Sequence, residues 1–368
     1  MGKKRVAVIG VGFIGRAHID ALRRIGEVEI VAVCESNRNA AGIEQLCIPE
    51  RFYDYREMID KLHPDAVHIT TPNIYHYEIA KYALMHGVNV LCEKPFTTTI
   101  AEAQELVELK KEKGLNGAVN FHNRFYPMAN QMKHMIGDGV LGDIISVTGS
   151  YQQDWLLYPT DFNWRILSRN SGCTRIVGDI GSHWMDLVQF VTGKKIESVL
   201  SEMICRYPER ILRKPDGTEE HVSVDTEDAA AILFRLEGGS IGSGFFTAMF
   251  AGKKNKTFLS VAGTKCSAEW DSEDLNNLWI GHREKANEVL TKDPGLLGEE
   301  TRGLSVYPGG HIEGFPDAFR NSFLDFYRDM NNPGGETEHA TFEDGLKEMI
   351  INQAIYDSSQ QKRWVDIK

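Results

Sequence analysis

Residues with the types and spacing to do chemistry cluster at three places in this 368-residue chain. The first is Gly10-Val11-Gly12-Phe13-Ile14-Gly15, directly after the apolar run Val6 to Ile9. A strand that turns into a helix needs Gly10 for the turn, Gly12 so that a pyrophosphate can approach the backbone, and Gly15 for close helix–strand packing. The helix N-terminus, with Phe13 and Ile14 in its first turn, then offers unpaired N–H groups and partial positive charge to a diphosphate. Glu35 follows the next apolar strand pattern, Ile30 to Cys34, 20 residues beyond Gly15. An acid there accepts bonds from the adenosine ribose hydroxyls and repels a 2′-phosphate, which favours NAD over NADP. Ser36 and Arg38 stand beside it, and an arginine past this strand is also able to hold a 2′-phosphate.

The second place is Glu93-Lys94-Pro95, after the strand pattern Val88 to Cys92. Lys94 is thereby expected at the carboxyl edge of a sheet, where the nicotinamide would lie. A lysine there donates to a substrate hydroxyl and stabilises the alkoxide that develops as hydride leaves. Pro95 fixes the turn through a cis or a trans bond. The third is Asp179-Ile180-Gly181-Ser182-His183, where a helix would turn both ionisable side chains to one site. A carboxylate near an imidazole favours the protonated ring, and an imidazole that titrates near neutrality suits a general base. The bland alternative makes Asp179 an N-cap and His183 a satisfied core histidine. Asn123, Arg124 and Tyr126 are placed to meet nicotinamide or substrate, and His311 sits in a Gly-Gly-His loop suited to a substrate contact. No His/Cys cluster has metal-ligand spacing, and hydride transfer to a nicotinamide needs no metal.

The elements that must position these residues change character along the chain. Up to about residue 124, strand patterns at 66–70, 88–92 and 117–121 alternate with helical stretches around 74–86 and 99–113, a βαβ rhythm that predicts a doubly wound parallel sheet with its ligand at the strand carboxyl ends. Beyond it, strand patterns at 144–151, 198–206, 229–236, 240–247 and 258–262 predict an open, mostly antiparallel sheet. Helices at 180–191, 317–330 and 342–358 would lie on one of its faces, and 282–310 reads as a long loop. The expectation is an α/β Rossmann domain over 1–124, binding NAD, and an α+β domain over 125–368 for substrate binding and oligomerisation. Charge and cysteine content narrow the class. A formal charge of −11 argues against nucleic acid as the main partner, and no apolar run approaches a membrane span. Six widely spaced cysteines without a Cys-x-x-Cys pair suit reduced thiols, hence a soluble, unexported, cytoplasmic chain.

In order and spacing, the glycine turn, Thr71-Pro72-Asn73-Ile74-Tyr75-His76, Glu93-Lys94-Pro95 and Asp179-x-x-x-His183 resemble the Gfo/Idh/MocA oxidoreductases over essentially the whole chain. The resemblance implies that Thr71, Asn73, His76, Glu93 and Lys94 lie on the cofactor side, and that Lys94, Asp179 and His183 form the catalytic set. Tyr151-Gln152-Gln153-Asp154-Trp155 and Phe162-Asn163-Trp164-Arg165 further resemble the levoglucosan and glycoside 3-dehydrogenase branch. Trp155 and Trp164 could stack on the C–H face of a pyranose, while Gln153, Asn163 and Arg165 bond its hydroxyls or the cofactor. The expected activity is NAD-dependent oxidation of a secondary hydroxyl, at C3 of a sugar or glycoside, to a ketone. Its rivals are inositol oxidation, sugar-to-sugar hydride transfer on tightly held NAD, NAD-dependent glycoside hydrolysis, and a catalytically silent nicotinamide sensor. An open sheet face needs covering, so a homodimer or homotetramer is expected.

Overall fold

The computed structural model describes residues 2–332 and 334–367. Apolar runs in its first third become strands buried on both faces, and the helices between them are closed by local chemistry. In chain order come β1 (Lys4–Ile9), α1 (Phe13–Arg23), β2 (Val28–Cys34), β3 (Glu50–Phe52), α2 (Tyr55–Leu62), β4 (Ala66–Ile69), α3 (His76–Met85), β5 (Asn89–Cys92), α4 (Ile100–Lys113) and β6 (Gly117–Val119). Thr99 and Glu102 form a capping box at the start of α4, and Gly114 ends that helix in the left-handed region at φ 64°. All six strands pair in parallel, in the order β3-β2-β1-β4-β5-β6. The order reverses between β1 and β4, and a crevice at such a switch point is where dinucleotides bind.

The rest of the chain forms α5 (Pro127–Gly137), β7 (Ile144–Gln152), α6 (Ser168–Ser171), α7 (Ser182–Thr192), β8 (Ile196–Ile204), β9 (Glu209–Arg213), β10 (Glu219–Ser223), β11 (Ala229–Leu236), β12 (Ile241–Thr247), β13 (Lys256–Gly263), β14 (Ser267–Asp271), β15 (Asn277–Gly281), β16 (Glu288–Thr291), α8 (Glu299–Arg302), α9 (Phe315–Asn331), α10 (Phe342–Gln361) and β17 (Val365–Asp366). Nine strands make one sheet in the order β16-β15-β14-β13-β7-β12-β11-β8-β17, antiparallel except for the parallel β7–β12 pair; β9 and β10 form a separate hairpin. Trp184 of α7 packs against Gly149, where a Cβ would lie 2.7 Å from the indole nitrogen, and between Phe234 and Phe246. The opposite face leaves Leu233, Ile241 and Phe245 exposed.

Two compact units result: the chain to Phe125 with Phe315–Met349, and Tyr126–Gly314 with the segment from Ile350 onward. The sequence placed everything beyond 124 in the second domain. The difference lies in α9, whose Phe319, Phe323, Phe326 and Tyr327 share a core with Val6, Val8, Ile19, Leu22 and Val33 of the first unit. On the other side of the parallel sheet, Phe342 of α10 joins Ile9, Val67 and Val90. The expected loop at 282–310 also contains β16 and α8, and it is anchored by a buried Lys292–Glu313 ion pair.

Candidate functional site

In the first unit the glycines each meet the constraint their spacing predicts. Gly10 has φ 91°, and a Cβ there would lie 2.9 Å from the Thr70 carbonyl carbon. A Cβ at Gly15 would sit 2.1 Å from the Gly10 carbonyl oxygen, whereas one at Gly12 would meet nothing within 4 Å. The space over Gly12 is the space a pyrophosphate requires. Helix α1 has neither a side-chain cap nor an acid in its first turn, so its N-terminus is electrostatically suited to an anion.

Glu35 stands past β2 with Oε2 accepting from the Val11 N–H and Oε1 from the Asn37 N–H, both at 3.0 Å. Two anchored oxygens keep further lone pairs for ribose hydroxyls. Ser36 is exposed, and Arg38 lies over the Tyr53 ring at 4.3 Å, with Arg51 at 5.1 Å from the same ring. Thr71 Oγ1 and Asn123 Nδ2 are buried without a hydrogen-bond partner in the protein, polar atoms of the kind a bound dinucleotide satisfies. Asn73 is buried nearby in sequence. His76 contacts the carbonyls of Thr71 and Pro95, each at 2.9 Å, and so ties the loop after β4 to the cis Lys94–Pro95 turn. Burial lowers its pKa. These residues fit NAD.

Glu93, next to Lys94, ends a buried chain of hydrogen bonds: Tyr327 Oη to His68 Nε2 at 2.7 Å, His68 Nδ1 to His18 Nδ1 at 2.9 Å, and His18 Nε2 to Glu93 Oε1 at 2.8 Å. Burial holds the His68 pKa well below its ordinary value, so that ring carries one proton. A carboxylate only accepts, so His18 donates its Nε2–H to Glu93. Burial alone would raise the Glu93 pKa, but His18, the Asn120 amide at 2.6 Å and the Lys94 charge bring it down to about 2.

The second unit brings together residues from three places in its sequence. The expected regular helix over 180–191 is instead a π-turn at Val177–Gly181 followed by α7. The widened turn alters the angular offset between Asp179 and His183 from that of an α-helix. Asp179 is half-buried and His183 is 3% exposed. Glu227 accepts from the Arg175 and Val177 N–H groups at 2.9 Å, satisfying donors at the start of this segment. Arg165 reaches Asp179 at 3.9 Å and lies 4.4 Å over the Trp164 ring. The Tyr151 ring stands 6.4 Å from that of His183; burial, followed by the Asp179 charge, pushes its phenol up to about 12. Gln153 receives the Trp155 indole N–H at 2.6 Å and donates to Asn255 at 2.7 Å. Tyr126 is buried against Trp270, and His311 is exposed, stacked on Tyr307. Among the described residues no group of His, Cys, Asp and Glu is arranged to hold a metal.

Tyr151 and Asn255 were not singled out as site residues by the sequence reading. Tyr151 lies two residues before Gln153, a same-side spacing along a strand that could have flagged it. Asn255 comes alongside only through the pairing of β13 with β7.

A parallel dinucleotide-binding sheet joined to an open sheet domain that carries an Asp–His pair defines a class: nicotinamide-dependent oxidoreductases with a separate substrate domain. Residues 4–121 match the model of the oxidoreductase family with an NAD-binding Rossmann fold, and residues 129–269 match the GFO/IDH/MocA C-terminal domain. The chain belongs to the Gfo/Idh/MocA oxidoreductase family and binds NAD. It is 27% identical to levoglucosan dehydrogenase of Pseudarthrobacter phenanthrenivorans, over 100% of this chain and 99% of that protein. It is 25% identical to glucose-6-phosphate 3-dehydrogenase of Bacillus subtilis, over 98% and 97%, and 30% identical to D-apiose dehydrogenase of Paraburkholderia graminis, over 98% and 89%. A solved structure of levoglucosan dehydrogenase in complex with NADH superposes with a TM-score of 0.91 at 26% identity, covering 100% and 99% of the two chains.

Proposed function

We propose that this oxidoreductase uses NAD to oxidise a secondary hydroxyl of a sugar or glycoside to a ketone, at C3 of a glucose-like ring. The observation that carries this reading is the polar group in the second unit, where Asp179, His183 and Tyr151 accompany a Gln153 amide bonded to a half-exposed indole. An amide and an aromatic face are what a sugar presents work for, through its hydroxyls and its C–H face respectively. The relatives support the substrate class, since two are named for levoglucosan and apiose and one for oxidation at position 3 of glucose 6-phosphate.

NAD, held by the glycine turn and Glu35, would supply the acceptor for the hydride of the carbinol carbon. His183 takes the hydroxyl proton, with Asp179 holding and charging the ring, and Lys94 stabilises the developing alkoxide. Gln153, Trp155 and Arg165 contact the sugar, with Tyr126 and His311 as further substrate residues. The glycine turn with Phe13 and Ile14, Glu35, Ser36, Arg38, Thr71, Asn73, His76, Glu93, Asn123, Trp164 and Arg165 serve the cofactor. A screen of glucosides and inositols with NAD and NADP, read as absorbance of the reduced cofactor, tests the reading. Glucoside-dependent NADH formation supports it, and reduction with inositols alone would replace the sugar by a cyclitol.

The exposed sheet face with Leu233, Ile241 and Phe245 is the surface we assign to a homodimer or homotetramer. All six cysteines are unpaired, which suits the reducing cytoplasm, and no helix among the described residues is long and apolar enough to cross a membrane.

A further inference from the structure

We infer that Asn255 is a positioning residue of the sugar site, fixing the donor and acceptor pattern that Gln153, Trp155 and Tyr151 present. The inference rests on the sugar reading above and deepens it. Asn255 Oδ1 accepts two hydrogen bonds, from Tyr151 Oη at 2.9 Å and from Gln153 Nε2 at 2.7 Å. A carbonyl oxygen has two lone pairs, so this atom is fully used. The amide cannot be flipped, because that would set its NH2 against the NH2 of Gln153.

The consequences pass outward along the network. Gln153 Oε1 accepts the only N–H of the Trp155 indole at 2.6 Å, so the indole has no donor left for a hydroxyl and offers its ring face. Gln153 retains one N–H and one lone pair, a matched pair for neighbouring sugar hydroxyls. Tyr151 donates its proton to Asn255, so its oxygen, which also meets the Thr257 hydroxyl, can otherwise only accept.

The loop that carries Asn255 is sewn to the segment it positions. Gln153 N–H donates to Thr247 O and Phe250 N–H donates to Gln153 O, both at 2.8 Å. The Asp154 carboxylate receives Lys254 Nζ at 2.7 Å and the Gly252 N–H at 3.2 Å. Residues 247–255 therefore form one wall of this site with 151–155, although about 100 positions separate them in sequence.

The test compares Asn255→Leu, which keeps the size and loses both acceptances, with Asn255→Asp, which keeps both. Asn255→Leu should raise KM for the best glucoside up to about tenfold, the order expected for one lost hydrogen bond, with kcat changed less than about threefold. NADH affinity read by fluorescence should not change, and Asn255→Asp should restore KM to within about threefold of wild type. Adding Asn255→Leu to Gln153→Leu should raise KM no further than Gln153→Leu alone, as expected of residues acting through one another. An unchanged KM in Asn255→Leu, additive effects, or no rescue by Asp would each overturn the inference. A second readout needs no sugar: the Trp155 indole N–H resonance, assigned with Trp155→Phe, should move and exchange faster in Asn255→Leu and stay put in Asn255→Asp. An unmoved resonance in Asn255→Leu overturns the positioning role. A moved resonance in a protein that oxidises no sugar would sustain it and reject the substrate reading instead.

Discussion

Two glycines three positions apart make opposite demands on a methyl group. At Gly15 a Cβ would collide with the Gly10 carbonyl oxygen at 2.1 Å, so Gly15→Ala should destabilise the fold by about 1–3 kcal/mol and lower Tm. At Gly12 nothing lies within 4 Å, so Gly12→Ala should keep its Tm within about 2 °C and lose at least about tenfold in NADH affinity, read by fluorescence titration. Buried histidines give a second residue-level expectation. His122, amid Phe315 and Phe319, is held down to about 3 by burial against an ordinary 6.5, and burial lowers His68 and His76 as well. Between pH 6.5 and 3 the unfolded chain binds protons that the folded His122 refuses. Its contribution is therefore complete above about pH 6.5 and is lost as pH falls, by up to about 1.4 kcal/mol per pH unit per group. Glu93 adds the same sign later, from its ordinary 4.5 down to about 2. Thermal unfolding of the apoprotein should lose Tm from pH 6.5 downward, with a shallower slope in His122→Phe; equal slopes would contradict this assignment.

At the scale of elements, what was readable in the sequence was what depends on near neighbours. The glycine turn, the strand before it and Glu35 after it are local features: Gly10 and Gly15 meet the steric constraints their spacing implied, and Glu35 stands past β2 bonded to the Val11 N–H. The Asp179–His183 spacing was legible, yet the π-turn beneath it was not, because nothing in Val177–Gly181 announces a widened turn. That turn depends on Glu227, 48 positions past Asp179, whose buried carboxylate takes the Arg175 and Val177 N–H groups. Removing it leaves buried donors unpaired next to Arg175, so Glu227→Ala should cost about 2–4 kcal/mol in urea unfolding and lower kcat. Asn255 was invisible for a related reason: it reaches Gln153 only through the register of β13 on β7. The aromatic stripe of α9 was visible as a helix face, but a stripe does not name the sheet it covers.

Over the whole molecule the chemistry divides between a unit that holds NAD and one that carries Asp179 and His183 on a π-turn and on α7 beside an open sheet. The nine-stranded sheet is covered by α7 on one face, and the other exposes Leu233, Ile241 and Phe245. Leu233→Lys with Phe245→Lys should convert the expected oligomer to a monomer in light scattering while preserving the circular dichroism of the fold. The central claim, NAD-dependent oxidation of a sugar hydroxyl with His183 as the base, is tested most directly by following NADH and product together with a glucoside, in the wild type and in His183→Ala. One keto-glycoside, oxidised at C3, is expected for each NADH formed, with kcat lowered by about 10²- to 10⁴-fold in the variant. Full turnover in His183→Ala, or glycoside cleavage without accumulation of NADH, would contradict it.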